Sequence, residues 1–372
     1  MIKVLHCVNG MNRGGLETFI MNVYRNIDRS KIQFDFLVHT DKKCDFDDEI
    51  IALGGKIIKI PTRKYGFLAN RKVLEEFFNE YKDYKIIHQH LSSLSYIVPL
   101  KTAKRHSVPV RIVHSHSTRE GGSFLHNFIH KWNRVFINSY ATHYFSCSDL
   151  ASKWMFNKQV LNSNSYRIIN NGIQTSIFSF NKEKRNMVRD NLGLDEKFVV
   201  GHVGRLTYPK NHEFLIDIFN EYLKTEPNSV LLLVGDGELR SQIEKKIKDL
   251  NLENKVILTG KRDDISELLQ AMDVFIFPSH FEGLPVTLVE AQASGLPCIV
   301  SDNVTKQVKI TDNIAYVKLD NTISTWIETI FEFKKRHIRR DRSEYIIKAR
   351  FDIETIAQDL QDFYLNCSHS KM

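Results

Sequence analysis

The sequence predicts an α/β protein built from two doubly wound, Rossmann-like domains facing a central cleft. Three observations point there. The chain has 372 residues, more than one hydrophobic core usually organises. Short β-branched or aromatic runs alternate with longer amphipathic segments through the first half, and the same rhythm returns in the second, as parallel βαβ units require. The composition, 42% hydrophobic and 26% charged, is that of a folded globular protein rather than a disordered chain.

Taken in order, the first-half strands are Ile2 to Val8, Gln33 to Val38, Lys56 to Ile60, Lys85 to His88, Val110 to His114 and Tyr144 to Cys147. The second-half strands are Phe198 to Val203, Val230 to Val234, Lys255 to Leu258, Val274 to Phe277 and Cys298 to Val300. Asn170-Asn171-Gly172 ends one unit and the charged stretch Asn181 to Asp190 precedes the next, so the domains are predicted over 1–180 and 190–350. Ile353, Ile356, Ala357, Leu360 and Phe363 recur at helical spacing, which predicts a last helix, about 351–366, packed back on the first domain.

Five scattered cysteines without a two-residue spacing fit a reducing compartment and no zinc or redox motif. The start, MIKVLHCVNG, reads as a buried strand rather than a signal peptide. No apolar run approaches the roughly 20 residues that span a bilayer, so a cytoplasmic protein is expected. Lysine and arginine exceed aspartate and glutamate by 52 − 44 = 8, which favours anionic partners: nucleotide phosphates, acidic lipid or nucleic acid. Basic residues mixed with aromatics at Arg63 to Phe67, Lys101 to His106 and His126 to Phe136 suit peripheral attachment to an anionic membrane, or are simply solvated helix faces.

The stretch from Val274 to Glu290 carries the most chemistry. It reads as a strand, a loop and a helix over 285–294, with Pro285 in the first turn and Gly295 and Pro297 closing it. The helix start offers backbone N–H groups from Gly283, Leu284 and Val286 and a partial positive charge suited to a diphosphate. Glu282 precedes the helix and can reach sugar hydroxyls; Glu290, farther along, can accept both hydroxyls of a ribose. Upstream, Gly204-Arg205-Leu206 follows a strand and Lys210 comes five residues after Arg205. Such a cation pair stabilises the charge that builds on a departing diphosphate, as a divalent metal otherwise does.

Together, GRLTYPKN at 204–211, LLVGDGEL at 232–239 and FEGLPVTLVEAQASGLP at 281–297 resemble the family 4 retaining glycosyltransferases of the GT-B fold, including the bacterial exopolysaccharide and capsule type. The likeness extends over most of the chain. Asn12-Arg13-Gly14-Gly15-Leu16-Glu17 looks like the family's glycine loop, and Ile168 to Ile173 like its hinge run. The resemblance implies Arg205 and Lys210 on the diphosphate, Glu290 on the ribose, Glu282 on the donor sugar and Arg262 in the base pocket. It places Gly14, Gly15, Gly204, Gly283, Leu284 and Pro285 around the donor, with Glu17 on the acceptor side. It also nominates His114 as the histidine near the transferring sugar, with His116 as a rival, because His114-Ser115-His116 sets two imidazoles on one face of a strand. Gln174 stands where many relatives carry an acidic residue, which removes any acidic role at the hinge.

What the resemblance implies is a retaining, metal-independent transferase, with no cofactor beyond its nucleotide-sugar co-substrate. The donor is expected to be a UDP-sugar and the acceptor a lipid-linked glycan of bacterial polysaccharide assembly, met at the inner face of the cell membrane. A catalytically silent GT-B subunit steadying a partner transferase is the alternative. A metal-using GT-A transferase could be argued from Asp45-Phe46-Asp47, but that motif lies in a loop before the helical Asp48 to Leu53 segment, far from the other site residues, and reads better as a solvated loop. A nicotinamide-dependent epimerase is disfavoured because Gly10, Gly14 and Gly15 do not make G-x-G-x-x-G. No nucleic-acid module is recognisable.

Overall fold

Runs that are apolar at every position, rather than alternately, need cover on both sheet faces, and parallel strands with crossover helices supply it. The computed structural model describes residues 1–62, 67–117, 123–336 and 338–369, so the Arg63 to Phe67 stretch lies essentially outside the described residues. The chain divides into two units, Met1–Gly172 with Ile353–Met372, and Ile173–Asp352.

In the first unit, strands β1 to β7 (Ile2–Val8, Ile32–Val38, Ile57–Lys59, Ile86–Leu91, Val110–Ser115, His143–Ser146 and Tyr166–Ile168) form one parallel sheet in the order β3-β2-β1-β4-β5-β6-β7. One face packs helices Gly15–Asn26 and Ile353–His369 through Phe19, Ile20, Val23, Ile356, Leu360 and Tyr364. The other face is covered by residues such as Leu74, Phe77, Leu100, Ile137 and Met155. The last helix is therefore part of the first unit although it is last in the chain. Gly172 lies against it so closely that a Cβ there would stand 2.6 Å from Ile356 Cδ1 and 3.1 Å from the Ile353 backbone.

In the second unit, β8 to β13 (Phe198–Val203, Ser229–Val234, Val256–Leu258, Val274–Phe277, Cys298–Ser301 and Ile314–Val317) form a parallel sheet in the order β10-β9-β8-β11-β12-β13. Both sheets reverse their strand order beside their first strand, between β1 and β4 and between β8 and β11. Ligands of such sheets settle in the crevice beyond the carboxyl ends at that switch point.

The domain boundary falls earlier than the charge pattern predicts, at Gly172 rather than near 180–190. The charged segment is not a linker but helix Lys182–Leu192, and its arginines dock on the amino ends of β8 and β11. Arg189 donates to the carbonyls of Ala271, Leu194 and Lys197, and Arg185 to those of Gln270 and Met272. Asp273 accepts from both arginines and from the Val199 N–H. Strands β7 and β13, each at a sheet edge, were not expected from the sequence.

Candidate active site

The loops after β8 and β11 lie side by side at the switch point of the second unit and are stitched together. Asn211, in the left-handed region at φ 56°, donates its side-chain N–H to the Pro278 carbonyl at 3.1 Å. The His280 N–H donates to the Pro209 carbonyl at 2.8 Å, and the Tyr208 and His280 rings stack with centroids 4.6 Å apart. This brings Lys210 Nζ to 2.7 Å from Glu282 Oε1, with both side chains only 17% and 16% exposed, although the contact is not aligned as a hydrogen bond. The same ammonium lies 4.7 Å from the centre of the Phe277 ring. Two residues distant in sequence thus meet as a desolvated ion pair. Arg205 is exposed beside them and makes no ion pair among the described residues.

Glycines make this approach possible. At Gly235, φ is 141°, and a Cβ would sit 2.0 Å from the Gly204 carbonyl oxygen; at Gly237 it would sit 2.4 Å from that of Leu206. The glycines of LLVGDGEL therefore let the β9 loop lie directly on the Gly204-Arg205-Leu206 backbone. Gly235→Ala is expected to destabilise the unit by about 1–3 kcal/mol from backbone conformation alone, and more from the clash, with loss of donor binding. Gly193→Ala, also at positive φ but with nothing within 4 Å of its Cβ, should cost about 1 kcal/mol. Melting temperatures of the two variants, with and without donor, check this contrast.

Helix Val286–Ala293 begins after Pro285 as its N-cap, one residue later than predicted, and ends before Gly295 at φ 66°. Its first-turn N–H groups are those a helix leaves without intrahelical partners, and the nearby Thr287 hydroxyl is buried with no hydrogen-bond partner. Glu290 sits one turn in, partly exposed, and burial pushes its carboxyl up to about 7. A carboxyl of that kind can donate or accept toward a diol near neutral pH. Arg262 is engaged by Asp264 through two contacts of 2.8 and 2.5 Å; a nucleobase role requires that pair to be shared or broken. Two residues beneath the loops were missed from the sequence. His202 donates from Nδ1 to the Ile276 carbonyl at 2.8 Å, and its ring stands 4.7 Å from that of His212. Burial holds both rings neutral, with His212 lowered to about 4 by burial and then by the Lys210 charge.

In the first unit, Gly14 caps helix Gly15–Asn26 in extended conformation, and a Cβ on it would meet Glu17 Oε2 at 2.4 Å. The carboxylate therefore folds over the helix start, and burial raises its pKa. The loop after β1 and the loop after β4 enclose a cleft of about 360 Å³ lined by Gly15, Glu17, His90, Ser93 and His126 among others. Of these, His90 and Ser93 were not selected from the sequence, and His126 was named there only as the start of a basic and aromatic stretch.

Beneath that cleft five imidazoles touch. Strand register sets them there: His6 pairs with His88 across β1 and β4, and His90 with His114 across β4 and β5. His6 Nδ1 is 2.9 Å from His90 Nε2, and His90 Nδ1 is 2.9 Å from His116 Nε2. A second chain runs from the Tyr364 hydroxyl to His88 at 2.7 Å and from His88 to His114 at 3.2 Å. Ring nitrogens of His6, His88 and His90, and of His90, His114 and His116, come within 4.8 Å of one another. Three imidazoles on one tetrahedral zinc would stand roughly 3.3 Å apart, from bond lengths near 2.0–2.1 Å; contacts of 2.9 Å are those of neutral rings passing N–H to lone pair. Burial lowers all five, His6 and His116 to about 3 and the others well below the usual range. His114 is fully buried inside the sheet, whereas His116, just past the end of β5, is partly exposed.

Asp45 and Asp47 are structural. Asp45 accepts from the Arg13 N–H and Asp47 from the Cys44 N–H, each at 2.9 Å, so they form a turn rather than a metal-binding pair. A cavity of about 170 Å³ among Arg185, Asp273, Lys334 and Arg339 lies at the amino ends of β8 and β11, away from the switch-point crevice, and belongs to the ion-pair network that anchors helix Lys182–Leu192.

The comparisons with known proteins agree with this geometry. The profile "Glycosyltransferase Family 4" matches residues 13–177 and "Glycosyl transferases group 1" matches residues 184–350. EpsF of Bacillus subtilis (strain 168) is 35% identical over 336 residues, 88% of this chain and 86% of that protein. The UDP-Gal:alpha-D-GlcNAc-diphosphoundecaprenol alpha-1,3-galactosyltransferase of Escherichia coli is 28% identical over 81% of this chain and 78% of its own length. Among solved structures, Anabaena Alr3699/HepE in complex with UDP superposes with a TM-score of 0.79 at 20% identity, covering 98% of this chain and 100% of that one, which shows the GT-B fold. The chain belongs to the family 4 glycosyltransferases.

Proposed function

We propose that this transferase takes a sugar from a UDP-sugar with retention of configuration, without a metal, and delivers it to a lipid-linked glycan in bacterial polysaccharide assembly. The observation that carries the donor side is the meeting of Lys210 with Glu282 at the switch point, beside the start of helix Val286–Ala293. Arg205, Lys210 and the helix N–H groups hold the charge of the leaving diphosphate. Glu282, released from Lys210 as the ammonium turns to phosphate, orients the sugar; Glu290 takes the ribose; Arg262 lines the base. The departing phosphate itself accepts the proton of the acceptor hydroxyl, which attacks from the same face. On the acceptor side the first unit contributes Glu17 and a histidine, and exposure favours His116 over the fully buried His114.

The UDP donor and lipid acceptor are supported by the names of relatives: the E. coli protein uses UDP-Gal and a diphosphoundecaprenol acceptor, and HepE was solved with UDP. Among the described residues no helix is long and apolar enough to cross a membrane. Attachment to the inner face of the cell membrane is therefore proposed as peripheral.

A thermal-shift and hydrolysis screen of UDP-, GDP- and ADP-sugars in EDTA tests the donor reading. A UDP-sugar at 100 times its Kd should stabilise the wild type by about 2.7 kcal/mol; Glu290→Ala should lose the shift, and Lys210→Ala should keep most of the shift while losing donor hydrolysis. No shift with any donor, or a shift that needs a divalent ion, overturns it.

A further inference from the structure

Helix Phe124–Phe136 turns one face inward and leaves the other bare. Inward, His130 Nδ1 accepts from the Leu94 N–H at 3.0 Å and its ring stacks on Trp154 at 4.0 Å, while Asn133 donates to the Leu94 carbonyl at 2.7 Å. Outward stand Phe124 (88% exposed), Leu125, Phe128, Trp132 (60%), Val135 and Phe136. Phe124, Phe128, Trp132 and Phe136 follow one another at four-residue intervals, so their side chains form one stripe along roughly 20 Å of helix. Isolated apolar side chains are ordinary on a surface; six on one helix face are not.

Charge identifies what covers the stripe. The helix contains no acidic residue, and Lys131, Lys153 and Lys158 are exposed beside it. Between Lys85 and Gly172 the sequence has eleven basic residues and two acidic ones, an excess of nine, whereas the whole chain carries only eight. The positive charge of the protein is thus concentrated in the part of the first unit that bears the stripe. A second copy meeting stripe to stripe would set two such basic regions against each other. An anionic bilayer answers both features: acyl chains and glycerol backbones take the aromatic stripe, and headgroups take the lysines.

The inner face links this surface to the site. His126, on the same helix, has Nε2 2.9 Å from Ser93 Oγ, and both residues line the cleft with Glu17 and His90. We propose that the bare face of helix Phe124–Phe136 inserts into an anionic lipid bilayer and holds the adjoining cleft at the membrane surface, where the head of a lipid-linked acceptor enters it. The acceptor half of this proposal rests on the lipid-linked reading above; the docking half does not.

The test is co-sedimentation of the full chain with phosphatidylglycerol-containing vesicles and with pure phosphatidylcholine vesicles, alongside the double variant Phe128→Ser/Trp132→Ser and the charge variant Lys131→Glu/Lys158→Glu. Both pairs are exposed and the substitutions should leave the fold and the donor-induced thermal shift unchanged. Wild type should bind anionic vesicles at least 10-fold better than neutral ones, more weakly at high salt, with a blue shift of Trp132 fluorescence. Each variant should bind at least 10-fold less well and transfer sugar more slowly to acceptor in vesicles than to the same acceptor in detergent. Equal vesicle binding by wild type and double variant overturns the proposal, as does a dimer in light scattering that the double variant abolishes. Vesicle binding without transfer to any lipid-linked acceptor would keep the docking surface and reject the acceptor reading alone.

Discussion

Lys210→Ala should lower kcat about 10²–10³-fold, equivalent to roughly 3–4 kcal/mol of transition-state stabilisation, while the protein still folds. In the proposed donor placement Lys210 faces the leaving phosphate, and its side chain is only 17% exposed, with the ammonium 2.7 Å from Glu282 and 4.7 Å from the centre of the Phe277 ring. In such surroundings a fixed cation acts far more strongly than in water. The exposed Arg205 should matter less, on the order of 10-fold for Arg205→Ala. Glu282→Gln should separate the two roles of the pair, since it removes the ion-pair partner and keeps a hydrogen-bonding group for the sugar. Single-turnover rates at saturating donor provide the check. A Lys210→Ala enzyme with raised KM and unchanged kcat would show uniform ground-state binding and would sink the catalytic assignment.

A second large effect is expected from acid. Five histidines packed in the first unit, His6, His88, His90, His114 and His116, are held neutral by burial, with His6 and His116 lowered to about 3. In the unfolded chain they titrate near the ordinary value of about 6.5. Between those limits the unfolded state binds more protons than the folded one, so stability is complete above about pH 6.5 and falls as the pH drops toward 3. All five shifts act in the same direction, so the first unit loses stability through this window as its unfolded histidines take up protons. Among the described residues the second unit carries only His202 and His212 in this state and should outlast the first. Urea unfolding at pH 7.5, 6.5 and 5.5, followed through Trp154 in the first unit and the fully buried Trp326 in the second, measures the difference. Midpoints for the first unit that do not move across this range would contradict the neutral-array reading, and His88→Phe should flatten the dependence.

Much of the architecture was legible before any coordinates. Strands β1, β8 and β11 fall at their predicted residues, because long apolar runs bounded by glycine, proline or asparagine leave few alternatives. The last helix was legible from its stripe of Ile353, Ile356, Ala357, Leu360 and Phe363. Edge strand β7 was not, since three residues of half-exposed Tyr-Arg-Ile carry no periodicity. The domain boundary was misplaced for a related reason: Lys182–Leu192 is so rich in charge that it resembles a solvated connector, and only the carbonyls of Ala271, Leu194 and Lys197 reveal what Arg189 is for.

The sequence by itself determined the two βαβ halves and the family, and it singled out Arg205, Lys210, Glu282 and Glu290 as candidates for the donor site, because each sits at a fixed step from a strand end and that step is local. What lies between strands was decided by tertiary structure alone. The repeated His-x-His at 88–90 and 114–116 shows that two imidazoles share a face, but joining them with His6 and Tyr364 into hydrogen-bonded chains requires the register of three parallel strands and a helix from the far end of the chain. Likewise, Asp45-Phe46-Asp47 reads from the sequence as a solvated loop, whereas Asp47 is buried and the two carboxylates accept from the Arg13 and Cys44 N–H groups. Local spacing encodes what one residue can reach along its own strand or helix; which groups desolvate and pair one another is fixed only when distant segments pack.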